Sequence, residues 1–191
     1  MAYLAGFALR LFELPATDRF DLAATGAAER QVETLMSTGQ PLNAADSAVL
    51  PQYVRGIASW ALMNLRSFAV GMRIDQALWT DYAVMRPVVN AGIDALQQEN
   101  LKLLSQRVGN LSIPVNLLAP VAAYALFADR LLGTASYAIP YRAAGVLNHG
   151  RELLALWDKS STGPDRDREL IDGWASATGM TDWYAWTPYK P

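Results

Sequence analysis

Residues Ile113–Leu132, IPVNLLAPVAAYALFADRLL, decide the fold. From Val108 to Ala128 the chain carries no charged residue. Apolar side chains fall on every side of the projected helix, where a surface helix would have a stripe. A helix that is apolar all round is enclosed by other helices or lies in lipid. Crossing a bilayer takes about 20 apolar residues. Pro114, Asn116, Pro120 and the Asp129-Arg130 pair interrupt this run, so the expectation is a buried post in a helical bundle, with a membrane unlikely as a partner.

The rest of the chain reads as wrapping. Residues 1–24 form an apolar arm (Tyr3, Leu4, Phe7, Leu9, Leu11, Phe12, Leu14) ending near Pro15. Thr25 is placed to cap a helix running to about Thr38 and stopping at Gly39, with Val32, Leu35 and Met36 inward. Gln40-Pro41 breaks the chain, and Asn43 is the next N-cap. Helix follows from Ala44 to Val70, with Pro51 either starting or kinking it and Gly71 ending or bending it. Asp75–Met85 continues helically to a joint at Arg86-Pro87. In 88–108, Val89, Ile93, Leu96, Leu101, Leu103, Leu104 and Val108 mark an apolar face, opposite Gln97, Gln98, Asn100 and Gln106. Gly109 stops it.

Beyond the post, Gly133 is a C-cap. Pro140 lies near the start of a helix reaching Trp157, with Val146, Leu147, Leu153 and Leu154 inward. Pro164–Thr178 is a short last helix closed by Gly179. The final residues hold Trp183, Tyr184, Trp186 and Tyr189. No strand-like alternation and no repeat is visible. The expected architecture is all-α, with five to seven helices around a buried central helix at about 113–132. It divides into an N-terminal arm (1–24), a helical domain (25–178) and an aromatic C-terminal tail (179–191).

Composition excludes several functions. The 191 residues are 52% apolar and 18% charged, which is globular. With no cysteine there is no thiolate metal site, disulfide or thiol nucleophile. A single histidine, His149, cannot build a typical zinc site. No nucleophile elbow, phosphate loop or paired Glu-x-x-His occurs. Asp75, Asp81, Asp94 and Glu99 read as solvated acids. The alternating run Asp165–Glu169 reads as a solvated helix start. The expectation is a non-enzyme without metal or cofactor.

Charge is segregated. Residues 1–46 carry −3, residues 47–151 carry +4 and residues 152–191 carry −3, within a net −2. Arg55, Arg66 and Arg73 fall within ~20° of one helical line and span roughly 27 Å. Such a row suits a phosphate backbone, the acidic ends of a neighbouring copy, or a solvated face with snorkelling stems. Arg130, Arg142 and Arg151 form a second acid-free group. These six are the candidate nucleic-acid contacts. The tail rings Trp183, Tyr184, Trp186 and Tyr189 and the arm rings Phe7 and Phe12 must be covered, either by their own domain or by another subunit. They are the candidate subunit contacts.

The functional expectation is a self-assembling structural subunit, a homo-oligomer of the viral or phage coat or nucleoprotein kind, found in a virion or in the cytoplasm. The alternative is a helical binding or accessory module for an apolar ligand or partner helix, made adaptable by Met36, Met63, Met72 and Met85.

Overall fold

The computed structural model describes residues 2–37, 44–105 and 113–189. The expected features at Thr38–Asn43 and at Gln106–Ser112, including the Gly39 and Gly109 stops, lie outside the described residues. Within them are α1 (Ala2–Glu13), β1 (Phe20–Ala24), α2 (Gly26–Ser37), α3 (Ala44–Asp81), α4 (Arg86–Ser105), α5 (Ala119–Leu132), α6 (Ile139–Ala143), α7 (Leu147–Lys159), α8 (Asp167–Thr178) and β2 (Tyr184–Pro188). The protein is mostly helical, built around a buried central helix.

That central helix is α5, preceded by a 3-10 turn at Val115–Leu118. Pro120 sits in its first turn, and Gly133 closes it at φ 68°, a conformation glycine takes without Cβ strain. Ten of its fourteen residues are buried. Val115–Leu132 is long and apolar enough to cross a membrane by length and composition, and two thirds of it is buried inside the protein. Alanines at 119, 122, 123, 125 and 128 leave room for close neighbours. α7 uses that room: a Cβ on Gly150 would lie 2.8 Å from the Ala122 carbonyl carbon and 2.9 Å from the Ala123 nitrogen. Leu147, Gly150, Leu153 and Trp157 form the inward stripe of α7.

α3 is a second post. It runs unbroken through Pro51 and Gly71 for 38 residues, about 57 Å at 1.5 Å per residue. Between Phe68 and Asp75 every residue is buried, and α1, α5 and α8 all pack on α3. Gly6 of α1 sits directly over Ile74, where a Cβ would be 2.6 Å from Cγ2. An all-round burial site that includes Arg73 and Asp75 forces both charges to find internal partners.

Several local expectations are corrected. The predicted helix from Pro140 to Trp157 is two helices, α6 and α7, parted at Gly145 with φ 76°. Leu35 faces solvent. On α4 Val89 and Ile93 are buried, as the expected face requires, but the amides Gln97 and Asn100 are buried with them and Leu101 is exposed. Gln97 Oε1 accepts from the Tyr141 hydroxyl at 3.1 Å. The buried amide nitrogens of Asn64, Gln97 and Asn100 have no hydrogen-bond acceptor among the described residues.

Two short strands form where none was expected. β1 and β2 pair antiparallel, with Leu22 opposite Trp186 and Ala24 opposite Tyr184. Five residues each, without alternation, they carry little strand signal of their own; the pairing is a tertiary contact between the two ends of the chain. Thr25 does act at the start of α2: its Oγ1 accepts from the Ala27 amide and donates to the Asp182 carbonyl.

Candidate functional site

The ends of the chain meet over α3 and enclose a cleft of about 490 Å3. α1 forms one wall with Ala8, Arg10 and Leu11, continued by Leu14 just beyond its end. Arg66 and Val70 of α3 and Ile171 of α8 form the floor. Phe20, Trp186 and Tyr189 bring aromatic rings from the strands and beyond. Asp18, Asp165, Asp167 and Arg168 complete it. The expected adaptable methionines do not line it.

Beside the cleft lies a buried ionic cluster. The Arg73 guanidinium donates to the Asp167 carboxylate, to the Ser161 and Gly163 carbonyls, and to Ser160 Oγ at 2.8 Å. Its side chain is 2% exposed. Burial lowers the Arg73 pKa, and Asp167 opposes that shift by favouring the charged form. From the other side Arg10 donates to both Asp167 oxygens at 2.8 Å, and to the Thr162 carbonyl. One carboxylate thus holds two guanidinium groups and pins α1 to α3 and α8.

Arg168, next in sequence, is held differently. Its Cζ lies 4.8 Å from the Phe20 ring centroid and 5.3 Å from that of Trp186. Among the described residues it makes no hydrogen bond or ion pair. The tail rings are themselves positioned by Asp172, whose Oδ1 accepts from the Tyr184 hydroxyl at 2.6 Å and from Trp186 Nε1 at 2.8 Å. Burial and this carboxylate together push the Tyr184 pKa well up.

The structure places the six candidate arginines in unlike settings. Arg73 is enclosed. Arg66 pairs with Asp21, and Arg130 pairs with Asp158 at 2.8 Å while covering Trp157. Arg55, Arg142 and Arg151 are exposed; Arg55 bonds the Pro51 carbonyl and Arg151 the Asn148 side chain. The row on α3 exists in register but descends from solvent into the core. Among the described residues, Arg66, Arg130 and Arg73 meet carboxylates of the chain's own acidic ends, at Asp21, Asp158 and Asp167.

The candidate subunit contacts divide likewise. Trp183 is 1% exposed and its Nε1 donates to Gln31; Tyr184 is also buried. Both rings pack against their own domain in the single chain. Trp186 and Tyr189 are half-buried at the cleft. Phe12 is largely exposed, edge-on to Tyr189 at 6.3 Å and beneath Arg19 at 4.6 Å. The Phe7 side chain lies outside the described residues.

His149 faces solvent on α7, 3.8 Å from Glu152. Asp75 and Asp167, read from sequence as solvated, are an internal pair member each; Asp94 accepts from the Tyr137 hydroxyl. Among the described residues no group of three His, Asp or Glu could hold a metal ion. Sequence reading missed Arg10, Phe20, Asp167 and Arg168. Arg10 carried a signal: it is the one basic residue in the apolar run 2–14, and a charge set among apolar side chains needs a partner. No family model, curated protein or solved structure matches the chain.

Proposed function

We propose that this chain is a self-assembling structural subunit whose copies meet through the shoulder formed by the 3-10 turn at Ala83–Met85 and the start of α4. The observation that carries this reading is the exposure there of Tyr82, Val84 and Val88, with Val84 82% and Val88 54% exposed. Val88, Ala91, Gly92 and Ala95 continue along one side of α4 as an uncharged, exposed face at helical spacing. Contiguous exposed apolar surface of this kind marks an interface. Small residues let two helices approach closely, and a two-fold contact would place this same face on both copies. A coat protein or nucleoprotein is the kind of subunit meant. Any enclosed nucleic acid would meet Arg55, Arg142 and Arg151, whose guanidinium groups have no carboxylate partner among the described residues. Light scattering on the eluting protein, with absorbance at 260 nm, tests both parts. A multimer supports assembly; copurifying nucleic acid released by salt supports the second part.

A second reading, a binding module for a partly apolar ligand, is favoured by the cleft beneath α1. Its volume lies in the range of about 300–1,000 Å3 usual for ligand sites.

A further inference from the structure

We infer that the cleft between α1 and the body is a site for a small amphiphile with a single carboxylate, its head on Arg168 and its apolar body against Leu11, Leu14, Val70 and Ile171. This rests on the binding-module reading and adds the ligand's chemical class.

The head group follows from how the cations are used. Arg10 already has its charge matched by Asp167 and also bonds the Thr162 carbonyl, and Arg66 is paired with Asp21. Arg168 is held by two rings, and those contacts take up none of its five N–H donors. A planar guanidinium with free donors fits a carboxylate through two parallel hydrogen bonds. The two rings also limit its motion, so less freedom is lost when a ligand docks.

The single charge follows from the acids. Asp18 and Asp165 line the same cleft, and three aspartates balance three arginines around it. A polyanion would meet both carboxylates, whereas one carboxylate can sit on Arg168 alone. The apolar part follows from the lining, where Leu11 of α1 and Leu14 just beyond its end join Val70 and Ile171. Trp186 and Tyr189, half-buried at this cleft, give the body a flat wall to lie against.

Calorimetry on the full chain with decanoate, decanol and decyltrimethylammonium tests this. Decanoate should bind one per chain, at least tenfold more tightly than decanol, and the ammonium should not bind. Arg168→Gln should bring decanoate to decanol's affinity and leave decanol unchanged. Ala8→Trp, an exposed position on the cleft wall, should block both without loss of helicity. If decanol equals decanoate, or Arg168→Gln binds decanoate as before, the carboxylate inference falls while the binding-module reading stands. If neither binds, or Ala8→Trp has no effect, both fall. Displacement of decanoate by a uridine octanucleotide would overturn the single-charge argument.

Discussion

Arg73 and Asp167 stand 94 residues apart in sequence and form a buried ion pair against the loop at 160–163. Removing one member of a buried pair costs more than the pair contributes, because the other charge is left without a partner. Arg73→Met should therefore lower unfolding stability by about 3 kcal/mol, read from the urea midpoint. Arg10→Met should cost less, since Asp167 keeps Arg73. Arg73→Lys should not restore stability, because one ammonium cannot span Asp167, two carbonyls and Ser160 as the guanidinium fork does. Equal effects of the Arg10 and Arg73 changes would contradict this ordering.

Gly150 permits the contact between α7 and α5. A methyl there would press on Ala122 and Ala123 backbone atoms, which cannot move aside as a side chain can. Gly150→Ala should destabilise by about 1–3 kcal/mol. Gly56→Ala on the exposed side of α3, with no atom within 4 Å of the added methyl, should stabilise by about 0.5–1 kcal/mol. Thermal melts of the two variants should shift in opposite directions.

Asp75 is buried in α3 and its pKa is pushed up to about 6 by burial, although the Tyr124 hydroxyl donates to it at 2.6 Å. A carboxyl that holds its proton more tightly when folded adds stability below its unfolded pKa, and that contribution fades as pH rises to about 6. Asp75→Asn keeps the Tyr124 bond and removes the charge. It should gain up to about 3 kcal/mol over wild type at pH 7, with the gain disappearing near pH 4. A gain independent of pH would contradict the assignment.

The tail is structural. Trp183 fills the core and β2 pairs with β1. Trp183→Ala should cost about 3–5 kcal/mol. Deleting residues 180–191 should lower the melting temperature and loosen the fold, whether or not the protein assembles. A truncated chain that melts like the full one would show the tail to be dispensable to the domain.

The parts of the fold legible in sequence were those written locally. The charge-free run at 108–128 announced a buried helix, Gly133 and Gly179 marked helix ends, and Arg86-Pro87 marked the joint between α3 and α4. Contacts between distant segments were not legible. The β1–β2 pair joins residues more than 150 positions apart and has no alternating pattern. Gln97 and Asn100 looked like a polar face because nothing local says that the fold covers them, with Tyr141 of α6 reaching Gln97. In the candidate site, Arg66, Trp186 and Tyr189 were singled out, but as members of different surfaces. Their meeting with Arg10, Phe20 and Arg168 depends on α1 and β2 folding back over α3. Of the basic middle, Arg66, Arg73 and Arg130 pair with carboxylates of the chain's own acidic ends.

Assembly through the α4 shoulder is the central claim, and the mass of the particle in solution tests it most directly. Light scattering across a dilution series should give a multiple of 20.9 kDa for the wild type. Val84→Asp with Val88→Asp should give a monomer of unchanged helicity and melting temperature, since both side chains are exposed in the single chain. A wild-type particle of one chain mass at every concentration, or a double variant that assembles as before, would contradict the claim.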